Sequence, residues 1–500
     1  MTAEPPMSSI PERLGAVMAL DPSAPALEFE GAWSTWGDLA AAADAVDTVL
    51  RDRGLGAGSP VGLMLRNRPV ALGTLLGLLR AGACVVTVNP LLGAERLRAD
   101  LPGLGLPLLL GAPDDLALVA TADLRATARG ALGALGAPIA VSAPAVSPPE
   151  IRAPGVAVRM LTSGTTGPPK RIDLRYEMLD LVMRGAKHYE TGTGNDVRLR
   201  SGVVIVNAPL VHVSGVFRVV QAMLDGRRIA LLERFTVDGW TAAVREHRPK
   251  TVSLVPTALR MVLDADVDDD VFDSIRSVVS GTAPLDPDLA DAFSARYGVA
   301  VLTSYGATEF GGGVAGWNLA DHEEFAAAKR GSVGRAHAGC ALRVVDPDDG
   351  RDLGIDTVGL LEVRAAQLGT VEWVRTTDLA RLDADGFLWI VGRADQTILR
   401  GGYKVQPEVV RAALERVDGV AEAAVVGVPD DRLGAVPVAA VEQRPGAELD
   451  EAAVLAAVGA HLARYEMPVT VTVVDALPRT ASGKADLAAV RELITAGTPS

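Results

Sequence analysis

Over most of its first 390 residues the chain alternates stretches of helical period with short β-branched runs, and no other feature constrains its fold as strongly. Residues 39–51 and 71–81 read as helices, 60–65 and 84–88 as the strands that follow or precede them. Such alternation places strands in parallel sheets covered by helices. Further strands are predicted at 203–206, 229–232, 251–255 and 275–280, each bounded by turn-forming or polar residues. Several end where a polar motif begins, and strand ends are where α/β enzymes place ligands. The Pro-rich stretch 142–154 reads as an exposed connector between subdomains.

After Arg393 the texture changes. Helices are predicted at 409–415 and 451–462, and strands at 421–428, 437–443 and 469–474, which makes a small α+β unit. Five hundred residues also exceed what one hydrophobic core organises. The expected architecture is α/β, with a large N-terminal domain of helix-covered sheets (1–393) and a small, mobile α+β C-terminal domain (394–500).

The segment Thr162, Ser163, Gly164, Thr165, Thr166, Gly167, Pro168, Pro169, Lys170 carries the clearest chemistry. Small hydroxyl residues alternating with glycine leave backbone N–H groups uncovered, able to converge on phosphate oxygens, while Lys170 adds positive charge. It is not a Walker loop, because the Gly-x-x-x-x-Gly-Lys-Ser/Thr spacing is missing.

Four further segments follow in order: Ser304-Tyr305-Gly306-Ala307-Thr308-Glu309; Gly331-Ser332-Val333-Gly334-Arg335; Thr377-Asp378 leading to Gly392-Arg393-Ala394-Asp395; and Pro478-Arg479-Thr480-Ala481-Ser482-Gly483-Lys484. With the 162–170 segment they form a set that resembles the adenylate-forming superfamily of acyl- and aryl-CoA synthetases, stand-alone adenylation domains and luciferases. The resemblance runs over almost the whole chain and is closest in pattern to acyl-CoA synthetases. Before about residue 60 it is looser, although Trp33-Ser34-Thr35-Trp36-Gly37-Asp38-Leu39 still looks like the family's opening segment.

The resemblance implies ATP, Mg²⁺ and coenzyme A, and a two-step reaction. A carboxylic acid is joined to the α-phosphate of ATP with loss of pyrophosphate, and a thiol then displaces AMP. Two anions must meet in the first step, so the site has to neutralise charge as it develops. Residue by residue, Thr162 to Gly167 with Lys170 would hold the β- and γ-phosphates. Tyr305 would stack on adenine, with Gly306 beside it, and Thr308 would contact phosphate. Gly281, Thr282 and Ala283 would border the adenine and acyl pockets. Asp378 would accept from both ribose hydroxyls, and Arg393 would contact ribose and phosphate. Glu309 would hold the metal, since one carboxylate plus phosphate oxygens is a common way to bind Mg²⁺. Lys484, on a turn-rich loop, would be the adenylating cation. The catalytic set is thus Lys484, Thr166, Glu309 and His212, the last read as lining the acyl pocket. Asp395 would be the hinge of the small domain, and Gly401 and Gly402 would let a pantetheine arm pass.

Three positions depart from the family pattern. Arg171 replaces a frequent glycine, Thr377 replaces the glycine before Asp378, and Leu399 replaces a frequent lysine. The segment around His212 lacks the aspartate that amino-acid-activating relatives use, which argues against an α-amino acid substrate. Delivery of the acyl group to a carrier-protein thiol or to an amine is the alternative outcome, and no carrier domain is read after Lys484.

A formal net charge of −14 disfavours nucleic acid as a partner. Two cysteines in this length, Cys84 and Cys340, fit a reducing compartment and are too few for a metal site. The first residues lack a signal-peptide pattern, and apolar runs such as 70–86 are broken by Arg80 and glycines. The expectation is a cytoplasmic protein with no membrane span.

Overall fold

The computed structural model describes residues 9–147, 150–161, 170–186, 197–444, 446–459, 461–480 and 484–496. The strands up to Arg393 form four sheets, and those after it a fifth. The largest has seven strands in the order Ala140–Ser142, Ala128–Ala131, Leu108–Gly111, Pro60–Met64, Cys84–Val88, Val156–Leu161 and Arg171–Arg175. It is parallel through the middle and antiparallel at both edges. Pro60–Met64 and Cys84–Val88 are buried along their whole length, as central parallel strands with both faces covered must be. The covering helix Pro69–Arg80 crosses helix Trp36–Asp52 at a close approach. A Cβ on Gly77 would stand 2.9 Å from the Ala43 backbone, so only glycine fits there.

The 142–154 segment is mostly exposed, as expected, but it does not join subdomains. The strands on either side of it belong to this same sheet, one at its edge and one five places in. Composition marks a connector, whereas the register of distant strands decides what it connects.

Val203–Val206, Arg228–Leu231, Pro25–Phe29 and Ala32–Thr35 make a second sheet. Thr251–Ser253, Ser277–Ser280, Ala300–Ala307, Gly312–Gly316 and Arg335–Ala336 make a third, whose first three strands are parallel. The strand expected at 251–255 stops at Ser253 because Val255 precedes a helix that opens with Pro256. Trp240, Phe272, Phe293 and Tyr297 pack under this sheet, with Phe272 stacked on Tyr297 at 4.0 Å between centroids. The fourth sheet is an antiparallel meander of Cys340–Val345, Gly359–Ala365, Val374–Leu382 and Leu388–Arg393. It does not follow the alternating helix–strand pattern.

Beyond Arg393 come Ile398–Arg400, Tyr403–Val405, Val420–Asp430, Gly434–Gln443 and Val471–Val474, with helices Pro407–Glu415, Glu451–Val458 and Leu487–Ala496. They enclose a core of their own, including Val405, Val410, Leu414, Val441, Val454 and Val471. This is the small α+β unit expected from the sequence. No helix among the described residues is long and apolar enough to cross a membrane.

Candidate active site

A cleft of about 3000 Å³ runs between the large sheets and the small C-terminal unit. Most of the motif residues converge on it.

Its polar wall is built by the meander. Asp378 and Arg393 are register partners on adjacent antiparallel strands, which fixes a carboxylate and a guanidinium side by side. The Asp378 N–H donates to Thr376 Oγ1 at 3.0 Å, and that hydroxyl donates to the Leu361 carbonyl at 2.8 Å. Tyr305 reaches across from strand Ala300–Ala307, and its phenol donates to Asp378 Oδ2. Burial pushes the Tyr305 phenol far up, and the Asp378 charge adds to the effect. Burial likewise raises Asp378 above the ordinary aspartate value, against the Tyr305 hydrogen bond and Arg393, which lower it. Asp378 is thus a desolvated acceptor, already oriented, facing the cleft.

Arg393 is held from two sides. Its Nε and one terminal nitrogen donate to the Asp395 carboxylate at 3.0 and 2.8 Å, and the same terminal nitrogen donates to Thr377 Oγ1 at 2.7 Å. Thr377 therefore does more than reshape a turn. The strand bulges here, its register shifting between the pairs Leu360–Leu379 and Glu362–Arg375, and the Thr377 hydroxyl orients the arginine in a way that glycine cannot.

Lys484 enters this wall from the small unit. The chain on either side of residues 481–483 is joined, with the Thr480 N–H donating to the Lys484 carbonyl at 2.7 Å and residues 479 and 485 bridged. Arg479 anchors the base of the loop, pairing with Glu422 and Glu442 at 2.8 Å each. The Lys484 side chain keeps surface open to the cleft, yet protein crowds it. Desolvation first, and Arg393 second, hold its ammonium below the usual lysine range, while Asp378 and Glu309 work the other way. Glu309 lies on the short turn Thr308–Phe310 and lines the cleft. It is close enough to act electrostatically on both Asp378 and Lys484. No cluster of three metal-ligating residues occurs among the described residues.

The opposite wall is built for close approach. A Cβ on Gly306 would meet the Gly312 carbonyl at 2.3 Å, and one on Gly281 would meet Ser304 Oγ at 2.6 Å. Thr282 has φ of 70°, a left-handed conformation that threonine rarely adopts and that is kept where strain serves a site. Gly281, Thr282, Ala283, Thr308 and Lys170 all line the cleft. His212 also lines it, in extended backbone just before helix Val213–Leu224. Arg171 turns away, donating to Asp100 and to the Thr87 carbonyl. Thr162, Ser163, Gly164, Thr165, Thr166 and Gly167 lie outside the described residues.

Gly401 and Gly402 do not line the cleft in this arrangement. They are the two-residue turn of the hairpin Ile398–Arg400/Tyr403–Val405, with φ of 56° and 89°. Both central residues of such a turn need positive φ, so the turn alone accounts for the glycines. Leu399 is exposed on the same hairpin.

The family described as AMP-binding enzyme matches residues 16–370, and the AMP-binding enzyme C-terminal domain matches residues 410–484. The chain belongs to the AMP-binding enzymes. A sulfoacetate–CoA ligase of Cupriavidus necator is 31% identical over 479 aligned positions, which cover 90% of each chain. An indoleacetate–CoA ligase of Aromatoleum aromaticum is 30% identical over 96% of this chain and 97% of the relative. The ATP-bound crystal structure of MatB from Rhodopseudomonas palustris, 26% identical, superposes with a TM-score of 0.80 over 97% of this chain and 99% of MatB. Apo MatB superposes with a TM-score of 0.68. This AMP-binding enzyme thus has an overall arrangement nearer to the ATP-bound relative than to the empty one.

Proposed function

We propose that this chain is an AMP-forming acid:CoA ligase, activating a carboxylic acid with ATP and Mg²⁺ and passing the acyl group to coenzyme A. The observation that carries this reading is the meeting of Asp378, Arg393, Glu309 and Lys484 in one cleft from three separate parts of the chain.

In this reading Asp378, a fixed and desolvated acceptor, takes the ribose hydroxyls, and the Tyr305 ring walls the adenine. Arg393, held by Asp395 and Thr377, faces ribose and phosphate. Glu309 is the protein ligand for Mg²⁺, whose bound charge would offset that of the phosphates. Lys484 brings a cation to the oxygens where negative charge grows as carboxylate and α-phosphate join, the place where a preorganised charge is worth most. Thr162 to Gly167 with Lys170 cradle the outer phosphates. The small domain, 394–500, rotates about Asp395, so that the Gly401–Gly402 hairpin replaces Lys484 for the thiol step. Because Asp395 also clamps Arg393, a hinge substitution at Asp395 disturbs the ATP site as well.

The test is pyrophosphate release across a panel of aliphatic and aromatic acids, with product analysis in the presence of CoA. An acyl-CoA product is expected. An adenylate that persists with CoA but is consumed by an amine or a carrier-protein thiol would replace this acceptor with the alternative one.

A further inference from the structure

Helix Val213–Leu224 carries an arginine, Arg218, at its middle. The helix closes on the protein interior through Val216, Val219, Val220 and Met223, all buried. Its other face lines the cleft and carries Ser214, Arg218 and Gln221 beside Val213 and Phe217. Spacings of four and three residues align the three polar side chains in one stripe. At 1.5 Å per residue, Arg218 lies about 9 Å along the axis from His212, the end next to the acyl pocket.

The surroundings add to the charge. Half-buried Val203 and Val204 line the same cleft, and Arg200 and Arg227, near the starts of the strands Val203–Val206 and Arg228–Leu231, line it too. The Arg200 Nε donates to the Asp225 carbonyl at 3.0 Å, which fixes its direction. Arg218 also has a contact within the protein. A guanidinium presents five N–H donors in a planar fork, enough to serve a protein partner and a ligand together. At the other end of the cleft Glu309 and Asp378 flank Lys484. Arg393 lines that end as well, so carboxylates and cations are mixed there, whereas Arg200, Arg218 and Arg227 line the cleft along the helix leading away.

We propose that the acid activated here carries a second anionic group, a carboxylate or sulfonate remote from the reacting carboxylate, and that Arg218, flanked by Ser214 and Gln221, receives it. This inference rests on the acid:CoA ligase reading. Arg218 sets specificity and takes no part in bond making. A matched pair differing only in the remote group is distinguished because removing the anion removes a charge-assisted hydrogen bond to half-buried Arg218.

The experiment compares α,ω-dicarboxylic and ω-sulfo acids of four to ten carbons with monocarboxylic acids of the same length, reading kcat/KM for pyrophosphate release. The best dianion should exceed its matched monoanion by at least about tenfold, in line with one charge-assisted hydrogen bond. Arg218→Met should cut that ratio by about the same factor, and Arg218→Glu should invert it in favour of ω-amino acids. Retained ATP-dependent thermal stabilisation checks that each variant folds. A monoanion preference in the native enzyme, or an unchanged ratio in folded Arg218→Met, overturns this inference and leaves the ligase reading standing. Failure of every acid to release pyrophosphate overturns both.

Discussion

Two loops of the small C-terminal unit face opposite fates. The Lys484 loop reaches into the cleft, where Arg393 and desolvation depress its ammonium, and Arg479 braces it against Glu422 and Glu442. The Gly401–Gly402 turn stands outside, tied to its own domain by the Gly401 N–H donating to the Leu433 carbonyl at 2.7 Å. Arg400 adds bonds to the Tyr465 and Met467 carbonyls at 3.1 and 2.7 Å. This arrangement presents a cation to the cleft and keeps the glycine turn outside it. A chemistry that needs charge first and thiol access second is served by exchanging the two.

The largest test of that contrast is Lys484→Ala. It should lower pyrophosphate release by about a hundredfold to a thousandfold, the usual scale for removing one preorganised charge donor. Conversion of a synthetic acyl-adenylate with CoA to thioester should stay within a few fold. Equal loss in both assays would erase the distinction between the loops.

Gly402→Val breaks the other side. Nothing stands within 4 Å of a Cβ there, so the first half-reaction meets no new clash. Yet φ of 89° is unfavourable for a β-branched residue, at a cost of about 1–3 kcal/mol. Thioester formation should slow by roughly tenfold or more while pyrophosphate release is preserved, a split that stopped-flow measurement of each half reads directly.

Arg479→Met should act on Lys484 from a distance. It leaves Glu422 and Glu442 facing each other without their cation, and denaturant unfolding should show about 1–3 kcal/mol of lost stability. Pyrophosphate release should fall by about tenfold with little change in KM for ATP, the signature of a positioning role. A thioester step slowed equally would make Arg479 merely structural.

The smallest effect is on pH dependence. A lysine is charged below its pKa, and that of Lys484 is depressed, so the needed ammonium is lost at lower pH than for an ordinary lysine. The kcat/KM for pyrophosphate release, which reports the free enzyme, should decline on the alkaline side before the usual lysine range. The residual activity of Lys484→Ala should lack that limb.

Local signals were well written into the sequence. The runs at 84–88 and 203–206 form strands with the expected bounds because β-branched residues flanked by turn formers settle conformation within a few residues. Asp378, Arg393, Glu309 and Lys484 were singled out because each sits in a dense local motif, and the fold brings all four to one cleft. What escaped depends on partners far along the chain. The bracing of Arg479 by Glu422 and Glu442, the Thr377 hydroxyl on Arg393, and the return of Val156–Leu161 to the sheet that holds Ala140–Ser142 all arise from pairings that no local window contains. The stripe of Ser214, Arg218 and Gln221 had a readable period, but only the fold shows that it faces the cleft.

The exchange of loops is tested most directly by a distance. Spin labels at Leu399→Cys and Leu319→Cys, both exposed positions on opposite sides of the proposed hinge, would be placed in a background with Cys340 replaced by serine. With ATP and an acid analogue that cannot react, a single electron–electron distance should be seen. Adding CoA to the enzyme holding a non-hydrolysable acyl-adenylate mimic should shift the population to a second, clearly different distance. One unchanged distance in both states, in an enzyme that completes both half-reactions, would show that a single fixed arrangement performs both steps.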